Sequence, residues 1–254
     1  MKKIITVLIL SAGILSLANA QKASEIVKKA EDKMLGESNY TEMTMTIVRP
    51  RWEREVSFKS LSKGKEYSMT LVTAPAKEQG QTFMKRQSDL WSWNPSISRL
   101  VKMPPSMMSQ GWMGSDFSND DVLQETSFSK DFNHKILGSE KIDGHDCHKI
   151  ELTPKQGKTV IWGKIIVWIS KDDYLQLKTR YFDDENFPVK TEIASDVKMM
   201  DGREIPTKFT LIPEEEPDHK TIVKMNKIKF DVSVSSSFFS QQNMKKGSAL
   251  KFPQ

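Results

Sequence analysis

Beyond residue 36 the apolar and polar positions alternate in short runs with a period of two. Met43, Met45 and Ile47 alternate with threonines, and Val56 and Phe58 alternate with Ser57 and Lys59. Tyr67, Met69 and Leu71 repeat the pattern after a turn at Ser62-Lys63-Gly64. Such alternation puts one set of side chains on one face of a half-buried strand. All eight apolar residues are therefore expected to share one interior. Residues 81–86 and 90–93 read as a tight pair, and Asn94-Pro95-Ser96 turns the chain into 97–103. Further strands are expected at 132–137, 148–152, 161–169, 175–182, 189–197, 205–212 and 222–232. Hairpin signals punctuate them at Ile142-Asp143-Gly144, Lys171-Asp172-Asp173, Asp184-Glu185-Asn186 and Asp201-Gly202.

Two segments break the period. Residues 22–35 follow a helical repeat, with Ala23, Ile26, Val27, Ala30 and Met34 on one face and Gly36 as the stop. Residues 103–123 have a different texture altogether. Met103, Met107, Met108, Met113, Trp112 and Phe117 crowd together there, while Pro104, Pro105, Gly111 and Gly114 prevent one regular element. Methionine side chains are unbranched and adapt to surfaces of variable shape. Two readings fit: a lid over an apolar cavity, or a loop that plugs its own core. Ser118 and Asp121 have the spacing of a helix N-cap and its capping-box partner. The pattern predicts a mainly β chain, a large antiparallel sheet that curls, with the helix on its concave side.

The N-terminus changes the picture of where the chain works. Met1-Lys2-Lys3 precedes an apolar run over residues 4–17, and Ala18-Asn19-Ala20 follows. Those are the parts of a secretory signal peptide cleaved after Ala20, leaving 21–254 as one domain in an exported protein. No cysteine follows the cleavage site, so lipid anchoring is not expected there. Removing Lys2 and Lys3 with no acid lowers the formal charge from +5 to +3. That excess is modest, and export argues against nucleic acid as a partner. Cys147 is the sole cysteine, so stability must come from burial.

Candidate chemistry is sparse. His145-Asp146-Cys147-His148 is the densest cluster, yet on a strand its members face alternate sides, which is poor spacing for a metal. Cys147 has no base beside it in sequence. The acidic pairs Asp120-Asp121, Asp172-Asp173 and Asp183-Asp184 stand in turn or cap contexts. No catalytic residue, metal or cofactor is therefore assigned, and a hydrolase using the His145–His148 region is the least favoured reading. Trp91 and Trp93 share a sheet face; Trp162 and Trp168 read as core.

Three segments carry a family resemblance: Leu90-Trp91-Ser92-Trp93-Asn94-Pro95, then Arg99-Leu100-Val101-Lys102, then Gly114-Ser115-Asp116-Phe117-Ser118-Asn119-Asp120-Asp121. Together they resemble the longer branch of the LolA-like outer-membrane lipoprotein-sorting proteins. That resemblance implies a strongly curved, unclosed half-barrel wrapping a helix and a short helical lid, with an apolar cavity for acyl chains. The ligand-binding residues it suggests here are Met43, Met45, Ile47, Phe58, Met69, Leu71, Trp91, Trp93, Met107, Met108, Trp112, Met113 and Phe117, with Arg99 at the mouth. It implies a monomeric periplasmic carrier of lipoprotein or phospholipid acyl chains, with an inner-membrane exporter and an outer-membrane acceptor as partners. An envelope sensor or protein-binding module on the same fold is the alternative.

Overall fold

A computed structural model describes residues 20–123, 126–158 and 160–253. The expected signal peptide lies outside them except for Ala20. Helix α1 spans residues 20–35. Thirteen strands follow: β1 Ser38–Arg49, β2 Trp52–Lys63, β3 Tyr67–Ala74, β4 Thr82–Arg86, β5 Asp89–Asn94, β6 Arg99–Lys102, β7 Phe132–Ile142, β8 His145–Pro154, β9 Lys164–Ser170, β10 Gln176–Phe182, β11 Pro188–Met200, β12 Arg203–Pro213 and β13 Lys220–Phe230. They form one antiparallel sheet ordered β6-β5-β4-β3-β2-β1-β13-β12-β11-β10-β9-β8-β7. Since β6 and β7 both remain edges, the sheet is unclosed, as the resemblance implied. Asp143-Gly144 and Asp201-Gly202 close two-residue hairpins with positive φ at both positions (46° and 83°, 47° and 79°). Those are the conformations that match the twist of the flanking strands.

The sheet curves until its two halves share an interior. Helix α1 lays Ala23, Ile26, Val27 and Ala30 on the concave face of the second half, against Phe132, Ile150, Leu152, Ile165 and Val167. Residues 103–123 do the same for the first half, where Met103, Met108, Trp112 and Leu123 meet Met45, Val56, Phe58 and Phe83. Inside that segment are the short helix α2 Asn119–Leu123 and, beyond it, α3 Phe128–Asp131.

One expectation about faces is overturned. Met43, Met45, Ile47, Val56 and Phe58 point to the concave side, but Tyr67, Met69 and Leu71 point to the convex side. The pairing fixes this: Leu61 stands opposite Met69, while Phe58 stands opposite Val72. Alternation says that one face of β3 is apolar without saying which side of the sheet it is on. Here the convex face is apolar because residues 231–253 cover it. Val232, Phe239, Met244 and Leu250 bury Tyr40, Leu61, Met69, Leu71 and Met84. Burying a side chain of this size contributes roughly 1.5–3 kcal/mol, so the C-terminal segment is a structural cover, held further by Thr82 Oγ1 donating to Met244 O at 3.2 Å.

Candidate functional site

Between α1, the loop and the sheet lies a cavity of about 340 Å³. Its wall draws on seven consecutive strands, β3-β2-β1-β13-β12-β11-β10. Met43, Met45 and Phe58 line it from the first half, Phe209, Val223, Met225 and Ile228 from the second, Met34 from α1, and Trp112, Phe117 and Val122 from the loop and α2. An adjoining chamber of about 220 Å³ shares Met34, Phe117, Tyr181, Glu192 and Phe209. The larger of the two falls in the range that holds small ligands.

The Gly-Ser-Asp-Phe segment anchors the loop over this space. Asp116 forms a two-pronged ion pair with Arg49 at the end of β1, at 2.9 and 3.1 Å, and Arg49 also donates to Gly114 O at 3.3 Å. Thr221 Oγ1 donates to Asp116 Oδ2 at 2.6 Å and accepts the Asp116 N–H at 3.0 Å. Ser115 Oγ donates to Trp112 O at 2.7 Å. Phe117, carried by this scaffold, turns into the cavity. The Ser118–Asp121 capping box forms, with Ser118 N donating to Asp121 Oδ2 at 2.7 Å and Asp121 N to Ser118 Oγ at 3.2 Å.

Asp121 has a second partner that the sequence did not suggest. Lys190 on β11, almost fully buried, pairs with it and sits over the rings of Trp162 and Tyr181 at 4.7 and 4.9 Å. Two residues on, Glu192 faces both chambers. Burial, reinforced by the Asp121 charge and only partly offset by Lys190, pushes its carboxyl up from 4.5 to about 7. Burial likewise raises the Tyr181 hydroxyl well above its usual value. The Glu192 shift carries a pH dependence. Below about pH 4.5 the carboxyl is protonated in folded and unfolded chains alike, and its burial costs little. Between there and about pH 7 the unfolded chain loses a proton that the folded chain keeps, so stability falls as pH rises. Above about pH 7 the loss is complete, on the order of 2–3 kcal/mol. Glu192→Gln is expected to raise stability at pH 8 by about 2 kcal/mol and to leave it nearly unchanged at pH 4, read from urea titrations at both.

The structure gathers part of the expected set and disperses the rest. Met43, Met45, Phe58, Trp112 and Phe117 line the cavity. Ile47 shares their face but lies beyond it, packed in the core of the first half. Met69 and Leu71 are on the convex side, and Trp91 and Trp93 go with them beneath the C-terminal cover, because Leu90 is the residue of β5 that faces inward. Met107, Met108 and Met113 pack onto the first half instead of lining the chamber. Arg99 is exposed on the edge strand β6 and borders neither chamber; Arg49 and Arg54 are the arginines that hold the loop, the latter donating to Met113 O at 3.3 Å. In the 145–148 cluster, Cys147 is buried on the convex side with Trp168, and burial raises its thiol. Among the described residues no group of three metal-ligating side chains converges. Lys190 and Glu192 carry no local signal of burial: they are charged residues alternating with Val189, Thr191 and Ile193, yet Ile193 is 39% exposed.

With this geometry in view, the likenesses to known proteins are informative. A family model described as an uncharacterized protein matches residues 64–246. No curated protein matches the sequence. Among solved structures, the chain is similar to a DUF1329 family protein from Desulfovibrio piger, at 26% identity and a TM-score of 0.80, over 92% of this chain and 99% of that one. It is similar to an outer membrane lipoprotein-sorting protein domain from Vibrio parahaemolyticus, at 19% identity and 0.79, over 89% and 100%. A LolA superfamily protein from Nitrosomonas europaea matches at 22% and 0.75, over 87% and 98%. The last two likenesses establish a shared fold.

Proposed function

The chain belongs to the DUF1329 family, and on that premise we propose that it is a non-enzymatic carrier that shelters acyl chains of lipoproteins or lipids in the periplasm and moves them toward the outer membrane. The observation that carries this reading is the cavity itself, walled by Met43, Met45, Phe58, Phe209, Val223 and Met225 and roofed by Trp112 and Phe117. Shielding an acyl chain from water is favourable by roughly 0.8 kcal/mol per methylene, so an enclosed apolar wall is the main requirement for carriage. Methionines on that wall let it follow a flexible chain. The solved LolA-superfamily and lipoprotein-sorting structures share the architecture, which supports a carrier role for this fold.

Mass spectrometry of organic extracts from gently purified protein tests the reading, together with binding of a fluorescent fatty-acyl probe. We expect bound lipid in the extracts and saturable probe binding. Phe209→Asp places a charge against both chambers and is expected to weaken the probe more than tenfold, because an apolar chain would then face an ionised group in a poorly hydrated space. Lipid-free extracts combined with no probe binding by the unaltered chain would refute carriage.

A further inference from the structure

The cavity is not apolar throughout, and its polar part is ordered. Strands β1, β2 and β3 place Thr41, Ser60 and Thr70 opposite one another in one row across the concave face. The next row, one inward position away, is Asn39, Ser62 and Ser68. All six line the chamber, and the rows that continue along the same strands are apolar, beginning with Met43 and Phe58. Within the polar rows Ser60 and Thr70 hydroxyls stand 3.1 Å apart, and Asn39 Nδ2 donates to Leu35 O at 2.8 Å. Among the described residues Thr41 Oγ1 and Ser68 Oγ have no hydrogen-bond partner, although these residues are only 4% and 7% exposed. A buried hydroxyl left unpaired is costly, so each of these two gains from turning about its Cα–Cβ bond toward a partner held in the chamber.

The charge of the wall restricts that partner. Among the residues lining the chamber, Asp121 and Glu192 are acids and none is Lys, Arg or His. Lys190 is engaged with Asp121, and Lys65 of the adjoining chamber with Glu31. A carboxylate or phosphate drawn into this space would meet acids and, among the described residues, no free cation, and an unpaired anion is excluded strongly from such surroundings. Hydroxyls both donate and accept, which suits an uncharged ester or alcohol.

We propose that these two polar rows form a subsite for the neutral ester- and hydroxyl-bearing end of an acylglycerol, whose acyl chain runs over Met43, Met45 and Phe58. It rests on the carrier reading above and specifies the chemical class of the cargo. Thr41 and Ser68 supply the free hydroxyls, and the Ser60–Thr70 pair fixes the wall between them.

The test compares 1-monolauroylglycerol with laurate at pH 8, each displacing N-phenyl-1-naphthylamine from the full chain. The unaltered protein is expected to prefer the monoacylglycerol by at least about tenfold, the ratio that one well-paired hydrogen bond supplies. Thr41→Val with Ser68→Ala removes both hydroxyls at nearly constant shape. That pair is expected to lower monolauroylglycerol affinity about tenfold or more, with laurate and dye affinity changed less than twofold. Ser68→Ala alone is the milder variant if the pair folds poorly, and dye binding reports folding in each case. Equal affinity for the two lipids in the unaltered protein, or an undiminished preference in the variants, would overturn the subsite while leaving carriage standing. Failure of both lipids and the dye to bind would overturn carriage and the subsite together.

Discussion

Asp116→Ala is expected to destabilise the chain by about 3–5 kcal/mol, the usual consequence of leaving one half of a buried ion pair behind. The Arg49 and Asp116 side chains are only 12% and 9% exposed, so little solvent remains to compensate. Both carboxylate oxygens are used, one by each terminal nitrogen of the guanidinium, and Thr221 adds a third bond from β13. Loss of Asp116 would therefore strand a guanidinium and free the loop from the ends of β1 and β13 at once. For a chain of this size the melting temperature should fall by about 6–20 °C in calorimetry. Arg49→Met combined with Asp116→Leu should cost clearly less than the two single changes added together, since neither charge is then left alone. A loss below about 1 kcal/mol for Asp116→Ala would mean that the pair is effectively solvated and does not hold the loop.

Much of this architecture was legible, and the parts that were not share one physical cause. Strand alternation, the α1 face and the two-residue hairpins at Asp143-Gly144 and Asp201-Gly202 depend on local periodicity and local backbone conformation, and each appears where the pattern put it. The Ser118–Asp121 cap is also local, and it formed. The assignment of faces is not local. Met69 and Leu71 alternate as cleanly as Met43 and Met45, yet they lie under Phe239, Met244 and Leu250, which are more than 160 residues away in sequence. Nothing in β3 itself distinguishes a cover supplied by the C-terminus from the interior of the curl.

The hydroxyl rows show the converse. Ser68 and Thr70 look like the solvent side of β3, while Thr41 falls in line with Met43 and Ser60 and Ser62 with Phe58; all five are on the concave wall. A wall that bounds a cavity is not obliged to be apolar, because no side chain packs against it. Lys190 and Glu192 were hidden for the same reason, with the added feature that their partners, Asp121 and the rings of Trp162 and Tyr181, come from elsewhere in the chain. The Arg49–Asp116 pair joins residues 67 apart, and only the curvature of the sheet brings them together.

Residues 103–123 were open to two readings, and Trp112→Ala distinguishes them energetically. Trp112 is 1% exposed and meets Phe58 and Phe83 edge to face, at 5.1 and 5.4 Å between ring centres. The loop around it is closed by its own backbone: Trp112 N donates to Phe117 O at 2.7 Å, and Ser115 N to Trp112 O at 3.0 Å. A tryptophan held this way behaves as core, so its truncation should cost about 3–5 kcal/mol in urea unfolding. Met108→Ala, at 4% exposure, should cost about 2–5 kcal/mol for the same reason. Met113 is half-buried and holds a left-handed backbone conformation, φ 52°, so Met113→Ala should cost less than about 1 kcal/mol. The segment would then be a fixed plug on the Trp112 and Met108 side, leaving Phe117 as the side chain through which it meets the cavity. If Trp112→Ala and Met108→Ala instead cost less than about 1 kcal/mol each while fatty-acyl probe affinity drops, the stretch opens freely in solution and works as a lid.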